Sequence, residues 1–237
     1  MRKIEIKKII LSTLLLLSMA GAASASGTKD DPEVLYKYQI GAELKFKLAK
    51  GLKLDVGPEL RFYEGYDKLL LNAGLTYKAF DCIYVGASYR LVVDREESAS
   101  SEINYSVFGG YNSKSYDSQT YHRYAFDVTY KDKFGRFTPS FRVRYNNYAD
   151  DEIDDKKYLR YRAKVEYDIR KCKITPFISA EGYQELEDNM LHKMRYSTGF
   201  DLKSGDNSAI SFEYKLDYFN LKYKNTNIFS LGYKYKF

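Results

Sequence analysis

Seven arginines and four glutamates carry whatever chemistry this 237-residue chain has. Arg142 and Arg144 stand two apart, as do Arg160 and Arg162, while Arg61, Arg90 and Arg195 sit singly in segments of similar character. Glu59, Glu166, Glu181 and Glu213 are interleaved with them. A guanidinium presents a planar fork that fits carboxylate or phosphate, and two nearby carboxylates are the residue types of an acid and base pair. Glu181 with Glu59 or Glu166 would be such a pair. Flanking arginines keep these carboxylates ionised, however, whereas a general acid must hold its proton. A hydrolase built on serine and histidine fares no better, because His122 and His192 are the only histidines and neither sits in a triad pattern. Neither has ligand spacing to Cys82 or Cys172, so no metal site is expected. No catalytic residue is assigned and no cofactor is expected.

The spacing says what must position these residues. In residues 158–170, Leu159, Tyr161, Ala163, Val165, Tyr167 and Ile169 alternate with Tyr158, Arg160, Arg162, Lys164, Glu166, Asp168 and Arg170. Successive strand side chains point to opposite faces, so this strand has one apolar and one charged face. A helix would scatter the arginines around its circumference. The same alternation recurs along the chain, separated by short polar turns. Arg61 and Glu59 fall on the polar face of 52–62, Arg90 on that of 83–91, Arg142 and Arg144 on that of 136–145, Glu181 on that of 174–183, Arg195 on that of 193–202 and Glu213 on that of 210–218.

The ends narrow the class. Arg2, Lys3, Lys7 and Lys8 precede an apolar run over 9–19 and small residues closing at Ala23-Ser24-Ala25, the three regions of a secretory signal peptide. The reading is a signal peptide over 1–25, a short periplasmic lead-in over 26–33 and an outer-membrane barrel over 34–237. Losing the leader lowers the net charge from +6 to about +3, too mild a balance to argue for nucleic acid. Beyond it no apolar run approaches the ~20 residues of a membrane helix. Yet the chain has 25 Tyr, 14 Phe and no Trp. Aromatics spread over alternating segments suit the lipid-facing band and girdles of an outer-membrane barrel. The chain closes with Leu231, Tyr233, Tyr235 and Phe237 on one face, a terminal signal of the kind read by the barrel-assembly machinery on insertion.

The expected fold is all-β: a transmembrane antiparallel up-and-down barrel of about twelve strands, with ten as the alternative. Twelve requires a strand over 103–111, between loops at 94–102 and 112–119. An even count would place both chain ends in the periplasm and the turns holding Cys82 and Cys172 on opposite rims.

Arg142-Val143-Arg144, Arg160-Tyr161-Arg162, Pro176 with Ser179-Ala180-Glu181, Met194-Arg195-Tyr196 and the closing 231–237 together resemble a family of bacterial outer-membrane barrels known as domain of unknown function 2490. The resemblance runs from Tyr36 to Phe237 and is clearest after Tyr121. It implies a small outer-membrane barrel, with the lipid bilayer as its partner, and carries no activity or ligand with it.

Three uses of the interior fit these residues. A barrel of this size is narrow, so Arg61, Arg90, Arg142, Arg144, Arg160, Arg162 and Arg195 must share it with the glutamates. A paired network would fill the lumen and make a structural or interaction barrel. Alternatively, the surplus of guanidinium over carboxylate would form a narrow path for small anionic solutes. The third is an enzyme that modifies lipid or lipopolysaccharide.

Overall fold

The computed structural model describes residues 35–63, 66–97, 102–104, 111–113, 116–147, 157–219 and 225–237. The leader, the lead-in and the acidic loop at 149–155 lie outside the described residues. The strands are β1 (Leu35–Ala49), β2 (Leu52–Tyr63), β3 (Tyr66–Lys78), β4 (Ile83–Glu97), β5 (Glu102–Asn104), β6 (Tyr111–Ser113), β7 (Tyr116–Lys131), β8 (Phe137–Asn146), β9 (Tyr158–Tyr167), β10 (Ile174–Glu185), β11 (Leu191–Lys203), β12 (Ser208–Phe219) and β13 (Thr226–Lys236). Eleven of them close into one barrel in the order β1-β13-β12-β11-β10-β9-β8-β7-β4-β3-β2.

The count is thus one short of twelve, and the difference lies at 103–111. The ends of that segment fall in β5 and β6, which pair with each other as a separate two-stranded sheet and contribute nothing to the barrel wall. An odd number of alternating strands leaves the first and last pointing the same way. Accordingly β1 pairs with β13 in parallel, from Leu35 opposite Thr226 to Lys45 opposite Lys236, while every other neighbouring pair is antiparallel. Parallel pairing is slightly weaker per residue, and this seam is fastened on both faces. Outside, Tyr38 stacks on its register partner Phe229 (centroids 5.9 Å) and Phe46 on Phe237 (4.6 Å). Inside, Gln39 Oε1 accepts hydrogen bonds from Lys215 Nζ and Ser230 Oγ, both at 2.8 Å.

Odd parity also moves the cysteines. The turns at 50–51, 79–82, 132–136, 168–173 and 204–207 share one rim, and the longer connections 98–115 and 147–157 leave from the other. Cys82 and Cys172 therefore lie on the same rim, not on opposite ones, and both are free thiols. Leu35 starts at the long-loop rim and Phe237 ends at the short-turn rim.

The polarity of the wall is that of a soluble protein turned inside out. Leu60, Leu71, Leu75, Val128, Phe141, Val165, Ile178, Tyr196, Phe212 and Leu231 are among the outward side chains, and the exposed large hydrophobics are 36–68% accessible. Arg61, Arg160, Arg195, Glu181, Lys193 and Asp217 are buried inside. An apolar surface of that extent requires a non-aqueous covering, and strands of ten or more residues span a bilayer's hydrocarbon. Closure satisfies the backbone, which lipid cannot do.

Candidate functional site

All eleven charged residues singled out in the sequence occupy the inward face, because each strand keeps its two-residue alternation in register with its neighbours. Glu181 is the centre of the arrangement. Its Oε1 accepts a hydrogen bond from Arg142 Nη2 and its Oε2 one from Arg160 Nη2, both at 3.0 Å. Glu181 and Arg160 sit on the adjacent strands β10 and β9, while Arg142 reaches in from β8. The Tyr183 hydroxyl accepts from Arg160 (2.7 Å) and donates to Glu181 Oε2 (3.3 Å). Tyr183 is fully buried, and Arg160, Lys193 and Arg195 lie 4.3, 4.6 and 5.3 Å from its ring centroid. An aromatic face attracts desolvated cations, so this ring gathers three charges that would otherwise repel.

The remaining predicted residues form smaller clusters. Arg195 grips Asp217 through Nε (2.5 Å) and Nη2 (2.7 Å), and Lys193 Nζ lies 3.3 Å from the same carboxylate. Arg162 reaches Glu213 (3.9 Å), which Lys215 approaches from its own strand at 3.6 Å. Glu166 is held by two lysines, Lys131 and Lys164, both at 2.9 Å. Arg144 binds Asp127 through Nε and Nη2. Arg61 pairs with Glu59 at 2.7 Å, and Arg90 Nε donates to Asn72 Oδ1 at 2.5 Å. Four carboxylates, Glu166, Glu181, Glu213 and Asp217, thus stand against eight cations.

Several members of the network lie outside the eleven candidate residues, although the alternation puts most of them on the charged face. Asp127, Asp201 and Asp217 were readable as inward by parity, and so were Lys164, Lys193, Lys215 and Lys234. Lys68 and Asp94 were harder. They are register partners across β3 and β4, joined at 2.8 Å with side chains only 2% and 4% exposed, yet 94–102 reads as a polar loop. Inward Leu70 and Val92, also register partners, are fully buried and break the rule of a polar inner face.

One region stays open. A cavity of about 770 Å³ is bounded by residues of β1 to β4, β7 to β9, β12 and β13, with the inward Arg90, Arg123, Arg142, Arg144 and Arg160 in its lining. At the short-turn rim the closing residues take the outward positions: Leu231, Tyr233 and Phe237 are exposed, and Tyr235 packs edge-on against Phe237 (4.7 Å). Among the described residues no group of His, Cys, Asp and Glu is arranged to hold a metal.

The crystal structure of the beta domain of the Bordetella autotransporter Brka aligns with 82% of this chain and 87% of its own, at 14% identity and a TM-score of 0.46. No curated protein matches. A model described as protein of unknown function (DUF2490) matches residues 38–228, most of the barrel and all eleven charged residues singled out above, and the chain belongs to that family.

Proposed function

We propose that the protein is an outer-membrane barrel held shut by its own lumenal charges, a structural or interaction barrel and not an open diffusion pore. The observation that carries this is Glu181, buried and clamped by Arg142 and Arg160 from separate strands. Such a bridge ties the consecutive strands β8, β9 and β10 along the inner wall, and Arg162 to Glu213 reaches farther, from β9 to β12. The apolar exterior supports residence in a bilayer, and with a cleaved leader the bilayer is the outer membrane.

Two measurements test the reading. The protein fractionates with outer membranes and shows heat-modifiable gel mobility; recovery as a soluble periplasmic monomer defeats it. Replacing Arg160 and Arg162 together by Gln removes one of the two cations that hold each of Glu181 and Glu213, leaving Arg142 and Lys215, and thermal melts in detergent should show a loss of several kcal/mol. An unchanged melt would mean that the arginines do not hold the wall together.

A second reading is a narrow anion-preferring passage. The cavity and the surplus of cations over carboxylates favour it. In that case the double replacement lowers the anion to cation permeability ratio and leaves the melt nearly unchanged.

A further inference from the structure

The lumen is unevenly filled. Around β9 to β12 it holds Phe177, Tyr183 and the ion pairs, whereas on β13, β1 and β3 the inward side chains stop short at Gly232, Gly41 and Gly74. None of these three glycines is demanded by the backbone. Their φ values are ordinary, and an added Cβ would meet nothing closer than 3.4 Å at Gly41 and 3.6 Å at Gly74 and Gly232. Gly57 in the same wall is different, since its Cβ would fall 1.8 Å from the Ala42 carbonyl oxygen. Glycine weakens a strand interior and often marks close approach of a ligand. Three inward glycines where alanine would fit therefore indicate that the space in front of them is used.

Across that space stand Arg142 and Arg144, on β8, which lies five strands from β1 around the eleven-strand ring. Arg144 gives Nε and Nη2 to one oxygen of Asp127, at 3.0 and 2.5 Å. Arg142 gives Nη2 to Glu181, and its Nε has no partner among the described residues. A guanidinium carries five N–H donors, so each keeps donors for a second anion. Charge points the same way. Glu166 is shared by Lys131 and Lys164, and Glu213 by Arg162 and Lys215, so positive charge exceeds negative within a narrow interior. Charge taken out of water calls for a counter-charge.

We infer that the chamber is a binding site for a small soluble oxyanion, phosphoryl- or carboxylate-bearing, held by Arg142 and Arg144 with its body against the wall formed by Gly41, Gly74 and Gly232. Besides Gln39, Tyr84 and Ala125, the inward lining is Gly, Ser, Asn, Thr and charged side chains, whose hydrogen-bonding groups suit a polar solute better than an acyl chain. This rests on the closed-lumen reading, in which the solute is retained and not passed.

The test uses the refolded full-length protein in detergent, with inorganic pyrophosphate as probe at constant ionic strength set by sodium chloride. Titration calorimetry should show saturable binding that falls at least tenfold in Arg144→Gln and in Gly74→Leu, the latter filling the chamber without altering charge. Each variant is first checked for heat-modifiable mobility; should Gly74→Leu not fold, Gly74→Ala with Arg144→Gln completes the comparison. A short-chain phosphatidylglycerol in the same micelles should not compete. Heats no greater than those of chloride, binding indifferent to these changes, or preference for the phospholipid would each overturn the assignment. Failure of the closed-lumen reading registers separately, as ion conductance by the wild type.

Discussion

At the scale of single residues, Glu181 is the position on which the most depends. Removing the charge but not the shape, as in Glu181→Gln, leaves the buried Arg160 and the partly buried Arg142 opposite a neutral amide, and uncompensated buried charge of this kind costs about 3–5 kcal/mol. Urea or thermal unfolding in detergent should show that loss, and a change below about 1 kcal/mol would reduce Glu181 to a bystander. Tyr183→Phe is the milder companion. It keeps the ring that gathers three cations and deletes only the hydroxyl between Arg160 and Glu181, for a loss of about 1 kcal/mol. On the outer face the sign of the chemistry reverses. Val165 is 37% exposed and faces lipid, so Val165→Arg should impair insertion by about 2–4 kcal/mol near the midplane, read as the fraction reaching the heat-modifiable form.

At the scale of strands, glycine separates two kinds of position. Gly57→Ala drives a methyl into the Ala42 carbonyl and should disrupt β1–β2 pairing, whereas Gly74→Ala meets only ordinary contacts and should fold normally. The parallel seam makes its own prediction. With Cys82 and Cys172 replaced by Ser, cysteines at Gly41 and Gly232 are register partners and should cross-link under mild oxidation. No cross-link there, alongside a good one between cysteines at the antiparallel partners Ser211 and Gly232, would contradict parallel closure.

Strand identity and face were legible because alternation survives almost every strand: Arg160, Arg162, Lys164 and Glu166 could only share a face. Strand ends were not. Polarity at Lys68 and Asp94 resembles a loop until the two are seen as facing register partners whose charges cancel inside the wall. Parity was equally hidden, because 103–111 alternates like a strand and only pairing shows that its ends join each other. The partners of each arginine were out of reach for the same reason. Face follows from sequence, but Arg162 meeting Glu213 while Glu166 goes to lysines depends on which strands meet across the lumen.

At the scale of the whole molecule, lipid-facing apolar side chains and a charge-filled interior leave the closed lumen as the claim on which the functional reading stands. It divides the interior between a bridged side, where Glu181 and Asp217 tie strands together, and the basic chamber beside the glycines. The most direct measurement is planar-bilayer recording of the refolded wild type at moderate salt. Bridges from Arg142 and Arg160 to Glu181 predict little or no conductance, with openings emerging only when Arg160 and Arg162 are replaced by Gln. Steady, ohmic single-channel currents from the wild type, retained in the double replacement, would contradict it.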